Sequence, residues 1–168
     1  MIEMGALIVF PLLMALAGFS DLLTMIISNR ISIALIAAFL VIGLALHMPL
    51  GDFVAHLSCG FMVLVLTFLM FWRGWIGGGD AKLAASTAVW LGWSHILDYG
   101  LAASIAGGAL TLVIFMLRNC PLPRGLTGQR WLVRLHEQGN GIPYGIALAA
   151  AGLLVYPDTQ IWLSAIQK

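Results

Sequence analysis

The chain has 168 residues, of which 61% are hydrophobic and 9% charged, with a net charge of +1. A soluble domain carries about 25% charged residues and a disordered one needs low hydrophobicity, so both classes are excluded. Eight Lys and Arg spread along so apolar a chain build no dense basic face, which argues against nucleic acid as a partner.

A bilayer core about 30 Å thick takes roughly 17–25 apolar residues per helix. The first uncharged run, Met4–Ser20, predicts a permanent helix rather than a cleaved signal: Glu3 stands where a basic region would be, and no A-x-A site follows. Asp21–Arg30 connects it to a second run, Ile31–Gly51, and Met48–Asp52 turns the chain into a third, Phe53–Trp72. Arg73–Lys82 precedes a fourth, Leu83–Leu97, and the polar stretch His95–Gly100 leads into a fifth, Tyr99–Leu117. The long connection Arg118–Asn140 precedes the sixth, Gln138–Pro157. No run alternates as a barrel strand must. The expected fold is all-α, a single integral-membrane domain over 1–168 with six transmembrane helices.

Small pairs such as Ala103 with Gly107 and Ser104 with Gly108 allow close helix approach. Trp72, Trp75, Trp90, Trp93 and Trp162 suit interfacial belts. In the last connection, Gln129–Gln138 mixes Trp131, Leu132, Val133 and Leu135 with Arg130, Arg134 and His136. This predicts an amphipathic helix lying at the interface, its arginines toward lipid headgroups, with a lid over a site as the alternative.

Orientation follows from the cations. Arg30, Arg73, Lys82, Arg118, Arg124, Arg130 and Arg134 all fall in the odd-numbered connections, whereas Lys168 stands with Asp52, Asp98 and Asp158 on the other side. Cytoplasmic loops collect Lys and Arg, so the odd connections are expected to face the cytoplasm, with both termini outside.

Two acids then need explaining, because a carboxylate within a membrane segment is costly. Asp21 falls about one turn inside the cytoplasmic end of the first helix, and Asp80 follows Gly77-Gly78-Gly79 at the start of the fourth. Two carboxyls sharing a proton can cut a peptide bond: the ionised one takes a proton from water while the protonated one polarises the carbonyl. The glycines admit a substrate backbone and unusual dihedrals. The plainer alternatives are an N-cap for Asp80 and, for Asp21, snorkelling or pairing with Arg30.

Gly77-Gly78-Gly79-Asp80-Ala81-Lys82-Leu83 resembles the GxGD-A-K-[LM] motif of the type IV prepilin peptidases, aspartic proteases of the membrane. Asp21 with Ile27 and Asn29 is similar to that family's D-x(5)-I-P-N segment, although Ser28 replaces the proline and the basic residues usual after the aspartate are missing. Gly141-Ile142-Pro143-Tyr144-Gly145 is similar to its late I-P-[FY]-G motif. The resemblance implies catalysis by Asp21 and Asp80, and substrate binding by Gly77, Gly78, Gly79, Lys82, Asn29, Pro143 and Tyr144. It implies a bacterial inner-membrane enzyme that removes prepilin leaders at the cytoplasmic face, working on the leader and the hydrophobic helix after it. Members that also methylate the new N-terminus carry an extra domain with paired CxxC motifs. Cys59 and Cys120 form no such pair, so peptidase activity without methyl transfer is expected, as in the short forms serving Flp pili of the tight-adherence system.

No cofactor or metal is expected. His47, Asp52, His56, His95 and Asp98 gather toward the outer side, but from two separate connections, and read as interfacial residues. On its own, Pro143 reads as an ordinary helix start with proline in the first turn, or as one wall of a substrate groove. Two other functions fit buried acids in a membrane bundle: a small ion-coupled transporter, with a broken helix at Pro143, or a structural subunit of a pilus or secretion complex. Oligomeric state is left open.

Overall fold

The computed structural model describes residues 2–122, 125 and 128–166, with the side chains of residues 2 and 3 excepted. Arg124 and Lys168, both used in the charge asymmetry, lie outside the described residues. The described chain is helical: α1 (Ile2–Thr24), α2 (Asn29–Ala45), α3 (Leu50–Trp72), α4 (Gly78–Arg118), α5 (Arg130–His136), α6 (Tyr144–Val155), a 3-10 turn at Tyr156–Asp158 and α7 (Gln160–Ile166). Among the described residues, α1, α3 and α4 are long and apolar enough to cross a membrane. The segment from Tyr144 to Ile166, bent by 55° at its break, makes a fourth if taken as one span.

α1 shows how the helices choose their faces. Ala6, Phe10, Met14, Ala17 and Asp21 form one buried stripe at spacings of three and four, while Ile8, Leu12, Leu16 and Phe19 point outward. Asp21 therefore sits on the packing face of the helix rather than snorkelling away from it, and it is only 4% exposed. At the end of α1, Met25 takes a left-handed φ of 55°. The hydroxyls of Ser20 and Thr24 donate to Ile26 O at 2.9 and 3.2 Å, pinning the turn between α1 and α2. Ser28 caps α2, its Oγ accepting the Arg30 N–H at 3.3 Å. Its φ of −66° is the value a proline ring would impose, so a proline would fit the backbone at this position.

α4 corrects the sequence reading. It spans 41 residues, about 60 Å if straight, twice a bilayer core. It is not straight, because Gly92 breaks it with φ 65° and ψ −176°. Asp80 and Ala84, before the break, line the same groove as Tyr99, Ala103 and Gly107 after it, so the two limbs lie side by side. The reversal therefore falls at Gly92, and the expected connection at His95–Gly100 is helical. His95 and Asp98 stay on the helix, Nδ1 to Oδ2 at 3.7 Å, as an i,i+3 pair.

An aromatic cluster holds the bundle together. The Trp90 ring centroid lies 5.2 Å from that of Phe10, 5.9 Å from Phe39 and 5.8 Å from Tyr156. Trp90 Nε1 donates to Leu35 O at 2.9 Å, and Tyr156 Oη to Ala6 O at 2.7 Å. Lipid tails are as apolar as these side chains, so close packing and hydrogen bonds across helices must hold the assembly. Trp90 is fully buried and is a core residue rather than part of a belt, whereas Trp72 is 75% exposed.

α5 falls within the stretch expected to be helical and carries a contact the sequence did not suggest. Arg134 bonds the end of another helix: Nη1 donates to Thr24 O at 2.9 Å and, more weakly, to Leu23 O at 3.4 Å. The last carbonyls of α1 have no partners within the helix, and a cation there is favoured by the helix dipole.

Candidate active site

The turn after α1, the start of α4 and the start of α6 converge on Ile27. A Cβ on Gly79 would lie 3.1 Å from Ile27 Cβ, and one on Gly145 only 2.6 Å from Ile27 Cδ1. Ile27 is thus clasped between glycines of the two other motif segments. A second tie joins two of them at the surface, where Lys82 Nζ donates to Asn29 Oδ1 at 2.9 Å.

Asp21 and Asp80 face one cleft of about 590 Å³, whose walls include Trp75, Ile76, Gly77, Ile142 and Tyr144. Asp21 Oδ2 accepts the buried N–H of Gly145 at 2.7 Å. That amide lies in the first turn of α6, where backbone donors lack partners within the helix, so Asp21 caps α6 from a different helix. Asp80 is half-buried in the first turn of α4. The cap of that helix is Gly77, so Asp80 is not the N-cap residue. No ion pair joins Asp21 to Arg30 among the described residues, where the His95–Asp98 contact stands alone.

The glycines act through space rather than dihedrals. Gly77 has φ −73°, and Gly78 and Gly79 are helical, so none needs a conformation closed to other residues. A Cβ on Gly77 would come within 2.8 Å of Asp80 Oδ2, and one on Gly78 within 3.2 Å of the Phe71 ring.

The other sequence candidates divide. Gly77, Gly78, Gly79 and Tyr144 line the cleft. Asn29 and Lys82 are exposed, bonded to each other and outside its lining. Pro143 is fully buried as the cap of α6, so its side chain presents no groove wall. Tyr144 has a further part: its Oη lies 2.9 Å from Thr111 Oγ1, and its ring packs 3.3 Å from where a Cβ on Gly107 would be. With Asp80, Trp75 and Ile76 it also borders a second, mainly apolar groove of about 590 Å³ between α3, α6 and the second limb of α4. Ala103, Ser104, Gly107 and Gly108 line that groove. Among the described residues, no three His, Cys, Asp or Glu side chains converge as a metal site. His56 Nδ1 is 2.8 Å from Val89 O.

Gly145 was legible only as a letter in a motif, because a backbone donor to Asp21 leaves no side-chain signature. Trp75 read only as a belt residue, and Ile76 carried no signal at all.

The type IV leader peptidase family matches residues 8–112. The prepilin leader peptidase/N-methyltransferase of Aeromonas salmonicida (strain A449) is 30% identical over 172 aligned residues, covering 97% of this chain and 53% of that protein. Its namesake in Aeromonas hydrophila is 29% identical, covering 89% of this chain and 47% of the relative. That of Dickeya chrysanthemi is 30% identical, covering 77% and 47%. The chain spans about half the length of the curated relatives it matches. No solved structure matches it.

Proposed function

The chain belongs to the type IV leader peptidase family, and from that premise we propose that it is a membrane aspartic endopeptidase removing the leader of Flp-like prepilins. Asp21 and Asp80 jointly activate a water in the cleft, one accepting its proton while the other polarises the scissile carbonyl. The observation that carries the reading is the convergence of three separate motif segments on Ile27, with both carboxylates facing one cleft. The adjoining apolar groove suits the hydrophobic helix that follows the leader, and Asp80 stands at the junction of groove and cleft.

In this reading α1, α2, α3, the two limbs of α4 and the α6–α7 segment make six crossings of a bacterial inner membrane, with both termini outside. Arg30, Arg73, Lys82 and Arg118 then share the cytoplasmic side with both aspartates. Leader cleavage proceeds without methyl transfer by this polypeptide, in keeping with cysteines at 59 and 120 only.

The test is leader removal from a full-length Flp-type prepilin co-reconstituted with the purified chain in liposomes, read by mass. Release of the intact leader is expected, with no methyl group added to the new N-terminus when S-adenosylmethionine is supplied. An uncut prepilin contradicts the reading.

Gly77→Ala tests the spatial role of the glycines. The added methyl pushes the Asp80 carboxylate out of position, and cleavage is expected to slow about tenfold while the thermal midpoint stays put. An unchanged rate removes Gly77 from the site.

A further inference from the structure

Beyond the cleft, the geometry points to Arg118 as a positioning residue for Asp21, an inference that rests on the proposed aspartyl chemistry. Arg118 ends α4, far in sequence from either aspartate, and it holds three backbone carbonyls at once. Nε donates to Leu135 O at 2.8 Å, and Nη2 to Asn140 O and Gly141 O, each at 2.9 Å. The planar guanidinium fork is suited to such a multiple contact, and a lysine, with one point charge, is not.

These carbonyls belong to a strap made of α5 and the segment leading from it into α6. The strap is locked from within by Asn140, whose Nδ2 donates to Arg134 O at 2.9 Å and to Glu137 Oε2 at 2.8 Å. Its other end is tied to α1, where Arg134 Nη1 reaches Thr24 O at 2.9 Å, three residues beyond Asp21. The strap therefore bridges the end of α4 and the end of α1. It leads directly into Gly141 and Ile142 of the cleft wall, then to Gly145, whose N–H holds Asp21 Oδ2 at 2.7 Å. Arg118 touches neither aspartate in this arrangement. It fixes Gly141 O, and so the register in which the Gly145 amide meets the carboxylate. Without it, Asp21 loses its partner's placement rather than its own helix.

The experiment is a double-mutant cycle on the full chain in liposomes, with single-turnover and steady-state rates on a fluorogenic peptide spanning the cleavage site. Arg118→Ala is expected to lower kcat about 10–100-fold, as misplacement by an ångström does, with KM within about twofold. Gly145→Ala forces a methyl toward Asp21 Oδ2 and is expected to slow the reaction by a similar factor. The double variant should be no slower than the slower single, because both act through one contact. Arg118→Lys, which folds under a milder change, should recover only part of the loss. A general structural role predicts instead that the two losses multiply, or that Lys restores full activity. Either result overturns the inference, as does a wild-type rate in Arg118→Ala. If the unmodified chain leaves the peptide uncut, the aspartyl reading fails and takes this role with it. If it cuts and only the cycle fails, the positioning role alone is lost.

Discussion

Asp21→Asn and Asp80→Asn are each expected to reduce leader cleavage about a thousandfold or more while leaving a folded, monodisperse protein. Asn is nearly isosteric with Asp, so its amide oxygen can still accept the Gly145 N–H at position 21. What is lost is the carboxyl group's ability to take or give a proton. Neither partner replaces the other, since one must be ionised while the other is protonated. Co-expression of each variant with a Flp-type prepilin, scored by the size of the product, checks this. Normal processing by either variant removes that residue from the catalytic pair. Full cleavage by both contradicts the mechanism.

Gly92→Ala is the second large effect, and it acts on the fold. With φ 65° and ψ −176°, Gly92 lies in a region essentially reserved for glycine, where another residue costs about 1–3 kcal/mol. A Cβ there also meets three atoms of the His56 ring, the nearest at 2.8 Å. His56 has little freedom to retreat, with Nδ1 at 2.8 Å from Val89 O and its ring stacked 5.4 Å from Phe39. Together these effects should destabilise the protein by about 2–4 kcal/mol. Since the two limbs of α4 supply Asp80 and the groove facing it, activity falls with the midpoint. Gly100→Ala is the matched control for stability. Gly100 is helical with nothing near its missing side chain, and alanine there should be neutral or slightly stabilising. Thermal unfolding in detergent separates the two. Equal midpoints for both variants place the reversal elsewhere.

The contrast between those glycines shows what the sequence carried. Hydropathy marked the helical membrane class, and the lone acids Asp21 and Asp80 stood out because such groups are expensive in a bilayer. The motif spacings brought in Ile27, Gly79 and Gly145, which the structure packs together. The position of the α4 reversal was not legible, because His95 and Asp98 read as a polar loop while the break depends on one backbone torsion at Gly92. Nor was the inward face of α1: Phe10 and Met14 face the core and Leu12 and Leu16 the outside, yet all four are equally apolar. The hydrogen-bond partners of Trp90 and Arg134 were not legible for a related reason. Composition suggested an interface for both, but each donates to a backbone carbonyl of another helix, Leu35 O within α2 and Thr24 O at the end of α1 respectively.

The central claim is spatial: Asp21 and Asp80, 59 positions apart in sequence, share one cleft. It is tested most directly by cross-linking an Asp21→Cys/Asp80→Cys variant in native membranes with a short bifunctional thiol reagent, in a Cys120→Ser background because Cys120 is exposed and Cys59 buried. Rapid bridging of positions 21 and 80, found as a single cross-linked peptide pair by mass spectrometry, is the result expected. Thiols that each react with a monofunctional reagent yet never bridge would contradict the shared cleft, and with it the paired chemistry.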